Sequence, residues 1–384
     1  MRVRAYLDHA ATTPMRAEAV AAMLPYLTER FGNPSGSHSV ARDARRALDD
    51  ARESVAAGLG CDPGEVVFTS GGTESDNLAV LGSVTSSGGA AVCSAVEHHA
   101  VLRPCEVTGG AVVRVDTTGT IDLEALEETL GPGTGLVSVM LANNEVGTIQ
   151  PFDEVAALVR ERAPQALLHT DAVAAVGQMD LPRRAAQADL VSVSAHKFGG
   201  PKGVGALVVR GPARVAPLIQ GGEQERGRRA GTHDLAGIVG MAAALRAATE
   251  RLDEQVDRTG ALRDRLADGV LERIEGATES ALGDVPGAPA GRRGCKLASS
   301  FHVRFVGVDS EELLFLLDEH GICASAGAAC ASGALEPSHV LLAMGLTEAE
   351  ARCAVRFSLG ATTTEAEIDY VLEVLPKLVE QLRY

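Results

Sequence analysis

Apolar residues in this chain fall into two patterns. Short unbroken runs alternate with longer stretches in which they recur every three or four positions. The runs Val66–Thr69, Ala90–Ser94, Ala111–Val115, Gly135–Leu141, Leu167–Thr170, Ala188–Val193 and Ala206–Val209 read as strands that are apolar on both faces. The stretches Glu18–Leu27, 38–59, Leu78–Ser83, 122–130, 152–163 and 234–256 read as helices. Buried strands alternating with helices predict an α/β fold, with a mostly parallel central sheet covered by helices. Beyond about residue 256 the pattern changes. A charged helix at 253–275 leads into the Gly/Pro/Ala-rich stretch Gly283–Gly294. A strand Ser299–Phe305, a helix Ser310–His320, a strand Ala354–Ser358 and a last helix Glu365–Leu382 follow. This part reads as a smaller α+β domain. The expected division is a large domain over 15–256, with a small domain built from 1–14 and 257–384.

Composition narrows the class. Hydrophobic residues make up 46% of the 384 positions but aromatics only 3%, so the core must be built from Ala, Val and Leu. A net charge of −16 argues against direct nucleic-acid binding or an anionic membrane surface. No apolar run approaches the ~20 residues that span a bilayer, and residues 1–8 lack the apolar core of a signal peptide; a cytoplasmic location is expected. The cysteines at 61, 93, 105, 295, 323, 330 and 353 form no C-x-x-C pair, so free thiols are expected and no metal site.

Candidate chemistry sits where strands give way to loops. Lys197 follows the run Ala188–Val193 in Ser194-Ala195-His196-Lys197-Phe198-Gly199-Gly200, and is one of only four lysines in an arginine-rich chain. Arginine stays protonated and cannot form a Schiff base, so Lys197 is a candidate aldehyde-binding amine; a solvated loop lysine is the competing reading. Asp171 ends a buried run 26 residues earlier, one strand–helix–strand step away. A buried acid there calls for a cation, such as a protonated pyridine nitrogen, unless it is only a helix cap. Ser70-Gly71-Gly72-Thr73 joins a strand to a helix and suits a phosphate, or a plain cap. His98, in Glu97-His98-His99, is placed to stack on a planar ring or to move protons, although paired histidines are often ordinary surface. Arg356, inside the apolar strand Ala354–Ser358, fits either a substrate carboxylate or an internal ion pair. Cys330 lies in the Ala/Gly/Ser-rich segment 324–334, with nothing large around it to bury it; a mobile segment carrying a thiol is expected.

These pieces, in order along nearly the whole chain, resemble the pyridoxal-phosphate-dependent cysteine desulfurases of the class V aminotransferase group, fold type I. The carrying motifs are LDHAATTP, FGNPSGSH, VVFTSGGTESDNLA, EHHAVL, NNEVGTIQP, HTDAV, SAHKFGGPKGVGAL, ERGRRAGT, SAGAACASGALEPSHVLLAMG and VRFSLG. The long cysteine segment is similar to that of the long-loop subgroup. The resemblance implies that Lys197 holds pyridoxal 5'-phosphate, Asp171 pairs with its ring nitrogen, His98 stacks on the ring and takes part in proton transfers, and Asn144 helps hold the ring. Gly72, Thr73, Ser194 and His196 would bind the phosphate, with Thr232 reaching over from the other subunit of a homodimer. Asn33 and Arg356 would receive the carboxylate of L-cysteine. Cys330 would take the substrate sulfur as a persulfide, leaving L-alanine, and pass it to a protein acceptor.

The implied pathway is open: iron–sulfur cluster assembly, tRNA thiolation or DNA sulfur modification, with Cys330 a conceivable transient iron–sulfur ligand. A selenocysteine lyase, another class V enzyme, or a non-enzymatic scaffold that binds a sulfur-handling partner are the alternatives. The sequence departs from the family at Ala174, where a glutamine is usual, and at Ala331, where a threonine is common. The chain ends at Tyr384, soon after the last helix. On the family's pattern, the longer tail some members use to dock a scaffold protein is therefore expected to be missing.

Overall fold

A computed structural model describes residues 4–282, 293–326 and 337–383. Among the described residues, twelve strands run in chain order: β1 (Ala5–Tyr6), β2 (Val66–Thr69), β3 (Ala90–Ser94), β4 (Ala111–Val113), β5 (Thr134–Ser138), β6 (Leu167–Asp171), β7 (Leu190–Ser194), β8 (Gly205–Val209), β9 (Ala277–Glu279), β10 (Ser300–Phe305), β11 (Ile322–Cys323) and β12 (Ala354–Ser358). Seven of them form one sheet in the order β2-β8-β7-β6-β5-β3-β4. Within it β8 alone runs against its neighbours β2 and β7, and the other pairs are parallel.

The expected double coverage is visible in how strand residues alternate between two cores. Val66, Phe68, Val137, Val191 and Val208 face the core built with the helices Ser39–Leu59, Phe152–Arg162 and Leu235–Thr249. Val67, Leu136, Leu190 and Leu207 face the opposite core, with the helices Gly72–Ser87 and His99–Val107. A strand's side chains point alternately to the two faces, and both faces are apolar here, which is why the runs carry no polar alternation.

A second, antiparallel sheet, β12-β10-β9, packs under the helices Leu252–Arg273, Ser310–Glu319 and Glu365–Arg383. Its core holds Phe301, Phe305 and Phe357, with Phe301 and Phe357 stacked at 6.1 Å between ring centroids. The N-terminal strand belongs to this part: β1 pairs in parallel with β11, and Ala5 and Leu7 are fully buried in the same core. No helix among the described residues is long and apolar enough to cross a membrane.

Three local differences from the sequence expectation have physical causes. The helix expected at Leu78–Ser83 begins at Gly72, because its polar first turns find partners: Ser75 Oγ lies 2.8 Å from Thr69 Oγ1, and Asn77 Nδ2 donates to Ala100 O at 3.2 Å. The helix expected over 234–256 is two helices, broken where Arg251 leaves helical geometry (φ −129, ψ 45). His99–Val107 is a helix that sequence analysis had not placed; the His98 ring caps it, Nδ1 accepting from Ala100 N at 3.1 Å.

Gly205 opens β8 and is paired with both Thr69 and Ser194, directly under the turn at Gly71. A Cβ there would stand 2.6 Å from Val193 O and 2.8 Å from the Gly71 backbone, neither of which can rotate away. Gly205→Ala is therefore expected to cost about 1–3 kcal/mol of stability, seen as a lower thermal midpoint. An unchanged midpoint would show that the contact relaxes freely.

Candidate active site

The site is assembled on the carboxyl ends of the parallel strands. β6 and β7 are neighbours, with Asp171 opposite Ser192 in register. β7 ends at Ser194, and a short 3-10 turn, Ala195–Lys197, follows. That turn is closed by Gly200 N donating to Ala195 O at 2.8 Å, with Gly199 at φ 87 in the left-handed region. The N-terminal arm clamps it from outside: Thr13 donates twice to His196 O, from N at 3.1 Å and from Oγ1 at 2.8 Å. Lys197 Nζ donates to the carbonyls of Ala10 and Ala11, the latter at 3.1 Å. The lysine is half-buried and lines two cavities, of about 490 and 390 Å³.

The larger cavity brings together most of the residues singled out by sequence. Gly72, Thr73, His98, Asn144, Asp171, Ser194, His196, Lys197 and Arg356 all line it. Asp171 is buried, and its Oδ1 accepts from Val173 N at 2.8 Å. Burial pushes its carboxyl up to about 6, against the Val173 hydrogen bond and the nearby Lys197 ammonium. The rings of His98 and His196 are pushed down to about 4, by burial first and by the charge of Lys197 second, so both are neutral at pH 7. His98 Nδ1 accepts a backbone N–H, which leaves the ring proton on Nε2. His196 Nδ1 lies 3.1 Å from Thr12 Oγ1.

At one end of the cavity the helix Gly72–Ser87 begins from Gly71 at φ 146, with no side chain capping it. A Cβ on Gly72 would stand 2.8 Å from Val173 Cγ2, so the close approach needs glycine. Uncapped N–H groups, the Thr73 and Ser194 hydroxyls and a neutral His196 suit an anionic group. With an amine and a buried carboxyl alongside, this donor set fits an aldehyde-bearing pyridine phosphate. Ala174 lines both cavities with a single methyl group.

Arg356 makes an internal ion pair and also reaches the cavity. It is fully buried in β12, donating from Nη2 to Asp8 Oδ1 at 2.7 Å and from Nη1 to Asn144 O at 3.0 Å, yet it is part of the cavity wall. Its Nε has no partner among the described residues. Asn33 and Thr232 line neither cavity of this chain. Both are exposed, and Asn33 accepts from Ser35 N at 3.0 Å. Cys330 and most of the segment 324–334 lie outside the described residues. The flanks of that segment are at the cavity: Ser325 exchanges backbone hydrogen bonds with Arg356, at 2.6 and 3.2 Å, and Pro337 lines the wall.

Several residues at the site were not singled out by sequence. Asp76 and Glu97 line the same cavity, both buried, and burial pushes both carboxyls well above the usual range. Glu97 Oε1 accepts from Met140 N at 2.6 Å. Behind Asp171, His169 bridges Ser138 Oγ (2.8 Å) and Ser192 Oγ (2.9 Å), and burial holds its ring neutral, with a pKa of about 3. Glu145, beside Asn144, also faces the cavity. Helical spacing from Gly72 to Asp76 was the one available signal for Asp76, since residues four apart share a helix face. Nothing local marks the burial of the others. Among the described residues no group of three or more His, Cys, Asp and Glu is arranged to hold a metal ion.

Comparison with known proteins agrees with this geometry. The sequence model of the class-V aminotransferases matches residues 5–371. A cysteine desulfurase of Cereibacter sphaeroides is 47% identical, the match covering 99% of this chain and 97% of the relative. The cysteine desulfurase IscS of Dictyoglomus turgidum is 41% identical over 100% of this chain and 96% of the relative. The solved structure of a NifS-like protein superposes with a TM-score of 0.89 at 35% identity, covering 99% of this chain and all of that one. The chain belongs to the class-V aminotransferase family.

Proposed function

We propose that the protein is a cysteine desulfurase that uses pyridoxal 5'-phosphate, converting L-cysteine to L-alanine with transfer of the sulfur to Cys330 and then to a protein acceptor. The observation that carries the chemistry is Lys197 and Asp171 on adjacent strand ends in one cavity, with an uncapped helix start at one end and Arg356 in its wall. The comparisons supply the reaction: the relatives that match nearly the full length are named cysteine desulfurases.

When bound, the cofactor supplies the electron sink for bond cleavage at the substrate's α- and β-carbons. Lys197 would hold its aldehyde through the side-chain amine, and Asp171 would keep the ring nitrogen protonated. The backbone at Gly72 and Thr73, the Thr73 and Ser194 hydroxyls and His196 would hold the phosphate. Asn144 and the ring of His98 would fix its plane. Arg356 binds the substrate carboxylate. His98, neutral at pH 7, accepts a proton as the substrate reacts and returns one as alanine forms. The Cys330 thiolate attacks the substrate sulfur; the carbon–sulfur bond breaks, a sulfur–sulfur bond forms, and alanine leaves.

The same proposal includes a homodimer, in which Thr232 and Asn33, exposed here, serve the partner's site. Val20, Leu24, Leu27 and Phe31 support it, since they project apolar side chains from the first helix and the loop after it at 49–77% exposure. It also includes a division into domains over 15–256 and over 1–14 with 257–384, and a cytoplasmic location, which the free thiols of Cys61, Cys93, Cys105, Cys323 and Cys353 suit.

Lys197→Ala should lose its cofactor on dialysis and its alanine release by ~10³-fold or more, the scale of losing a covalent catalytic group. Cys330→Ser should keep the cofactor's absorbance but transfer no sulfur to a thiol acceptor; full transfer by that variant would remove Cys330 from its role. His98→Gln should retain cofactor and lower kcat by roughly 10²–10⁴-fold, the range for a general acid–base. A loss confined to KM would make His98 a binding group only.

A further inference from the structure

Three acids in the larger cavity, Asp76, Glu97 and Glu145, have no part in the reaction described above. Glu145 stands on a turn fixed by its neighbour. Asn143 Oδ1 accepts from Glu145 N (2.8 Å) and Val146 N (2.9 Å), while Asn143 Nδ2 donates to Val96 O (3.0 Å). The Glu145 side chain is held inside, only 3% of the residue being exposed, and it lines the cavity with Arg356. The Ser338 hydroxyl is hydrogen-bonded to the carboxyl, and Oε1 has no hydrogen-bond partner among the described residues. Among the described residues, the cavity lining therefore carries an unpartnered acceptor on Glu145 and an unpartnered N–H on Arg356.

The charges near Arg356 decide what this arrangement can bind. Asp8 already pairs with Arg356 at 2.7 Å, so those two sum to zero. An incoming carboxylate adds one negative charge, and an ionised Glu145 adds another in a poorly solvated space. Burial raises the Glu145 carboxyl to about 7, with Ser338 and Arg356 working the other way, so its charge changes close to neutral pH. From the helix His339–Ala343, His339 lines the same cavity. Its Nε2 donates to Glu97 O at 2.9 Å, and burial lowers its pKa, so it adds no charge as pH rises. Asp171 and His98, elsewhere in the cavity, titrate lower, at about 6 and about 4, while burial raises the Asp76 and Glu97 carboxyls well above the usual range.

We propose that Glu145 is a specificity residue of the substrate site: protonated, it admits the carboxylate of an amino acid beside Arg356, and ionised, it repels it. This rests on the reading of Arg356 as the carboxylate receptor. The sign follows from the raised carboxyl. Affinity for the carboxylate is highest below pH 7 and falls as pH rises through that value. By reciprocity, binding the carboxylate draws a proton onto Glu145.

The test uses the cofactor-loaded protein and calorimetry, with L-alanine as the probe and L-alaninamide, which lacks the carboxylate, as the reference. The ratio of their dissociation constants should rise about tenfold between pH 6 and pH 8, the scale of one pKa unit of coupling. In Glu145→Gln the ratio should stay at its acid-side value at both pH values. In Ser338→Ala the rise should move to higher pH, because the ionised carboxyl loses a donor. A flat ratio in the wild-type protein, which needs no variant to fold, overturns the proposal, as does a slope that survives in Glu145→Gln. A loaded protein that releases alanine from cysteine yet shows a flat ratio loses this proposal alone. A protein that binds neither probe and releases no alanine loses the functional reading with it.

Discussion

The parallel pairing of β6 with β7 is the constraint on which the site depends. It sets Asp171 opposite Ser192, so a carboxyl and, one short turn beyond Ser194, an amine come to the same edge of the sheet. A slip of one residue would turn Asp171 to the other face of the sheet and destroy the pair. Both strands are buried on both faces, and that fixes the register. The same burial raises the Asp171 carboxyl to about 6, while Lys197 and the Val173 N–H act against it. On the proposed function, a cationic ring would lie between the two. The reversed strand β8 completes the edge by placing Gly205 between Thr69 and Ser194, which lets the helix starting at Gly72 come up to the end of β7.

The N-terminal arm is the second organising element. Leu7 is buried in the core of the smaller sheet, and Asp8 pairs with Arg356 there. Ala10 N donates to Ser358 Oγ at 2.8 Å, while the carbonyls of Ala10 and Ala11 accept from Lys197. Thr13 and Arg16 then hold the turn after β7, Arg16 Nε donating to Phe198 O at 3.0 Å. A few consecutive residues thus tie the strand that carries Arg356 to the turn that carries Lys197. The two groups that would hold opposite ends of a substrate adduct are set relative to one another by backbone, not by long side chains alone.

Much of this was legible in the sequence, for reasons that particular residues show. The seven central strands were readable because they are apolar without interruption, and Asp171 and Lys197 because charged residues at the ends of such runs are expensive without a purpose. The first turns of the helix at Gly72 were not, since Glu74, Ser75, Asp76 and Asn77 look like loop residues until their partners are seen. Arg356 looked like a choice between an ion pair and a ligand site; the fold shows the ion pair with Asp8, and the guanidinium still reaches the cavity because Asp8 occupies only part of it. The burial of Glu145 and Glu97 is a tertiary property with no local signal, and that of Asp76 was marked only by its helical spacing from Gly72. Cys330 was singled out for the opposite reason, its neighbours being too small to bury a thiol, and it lies outside the described residues.

The central claim, that this cavity removes sulfur from cysteine and places it on Cys330, is tested most directly by stoichiometry. Cofactor-loaded protein is mixed with limiting L-cysteine without a reductant, alanine is quantified, and Cys330 is examined by mass spectrometry. The account predicts one alanine for each sulfur atom added to Cys330. Pyruvate as the product, or alanine formed with the extra sulfur absent from Cys330, would contradict it.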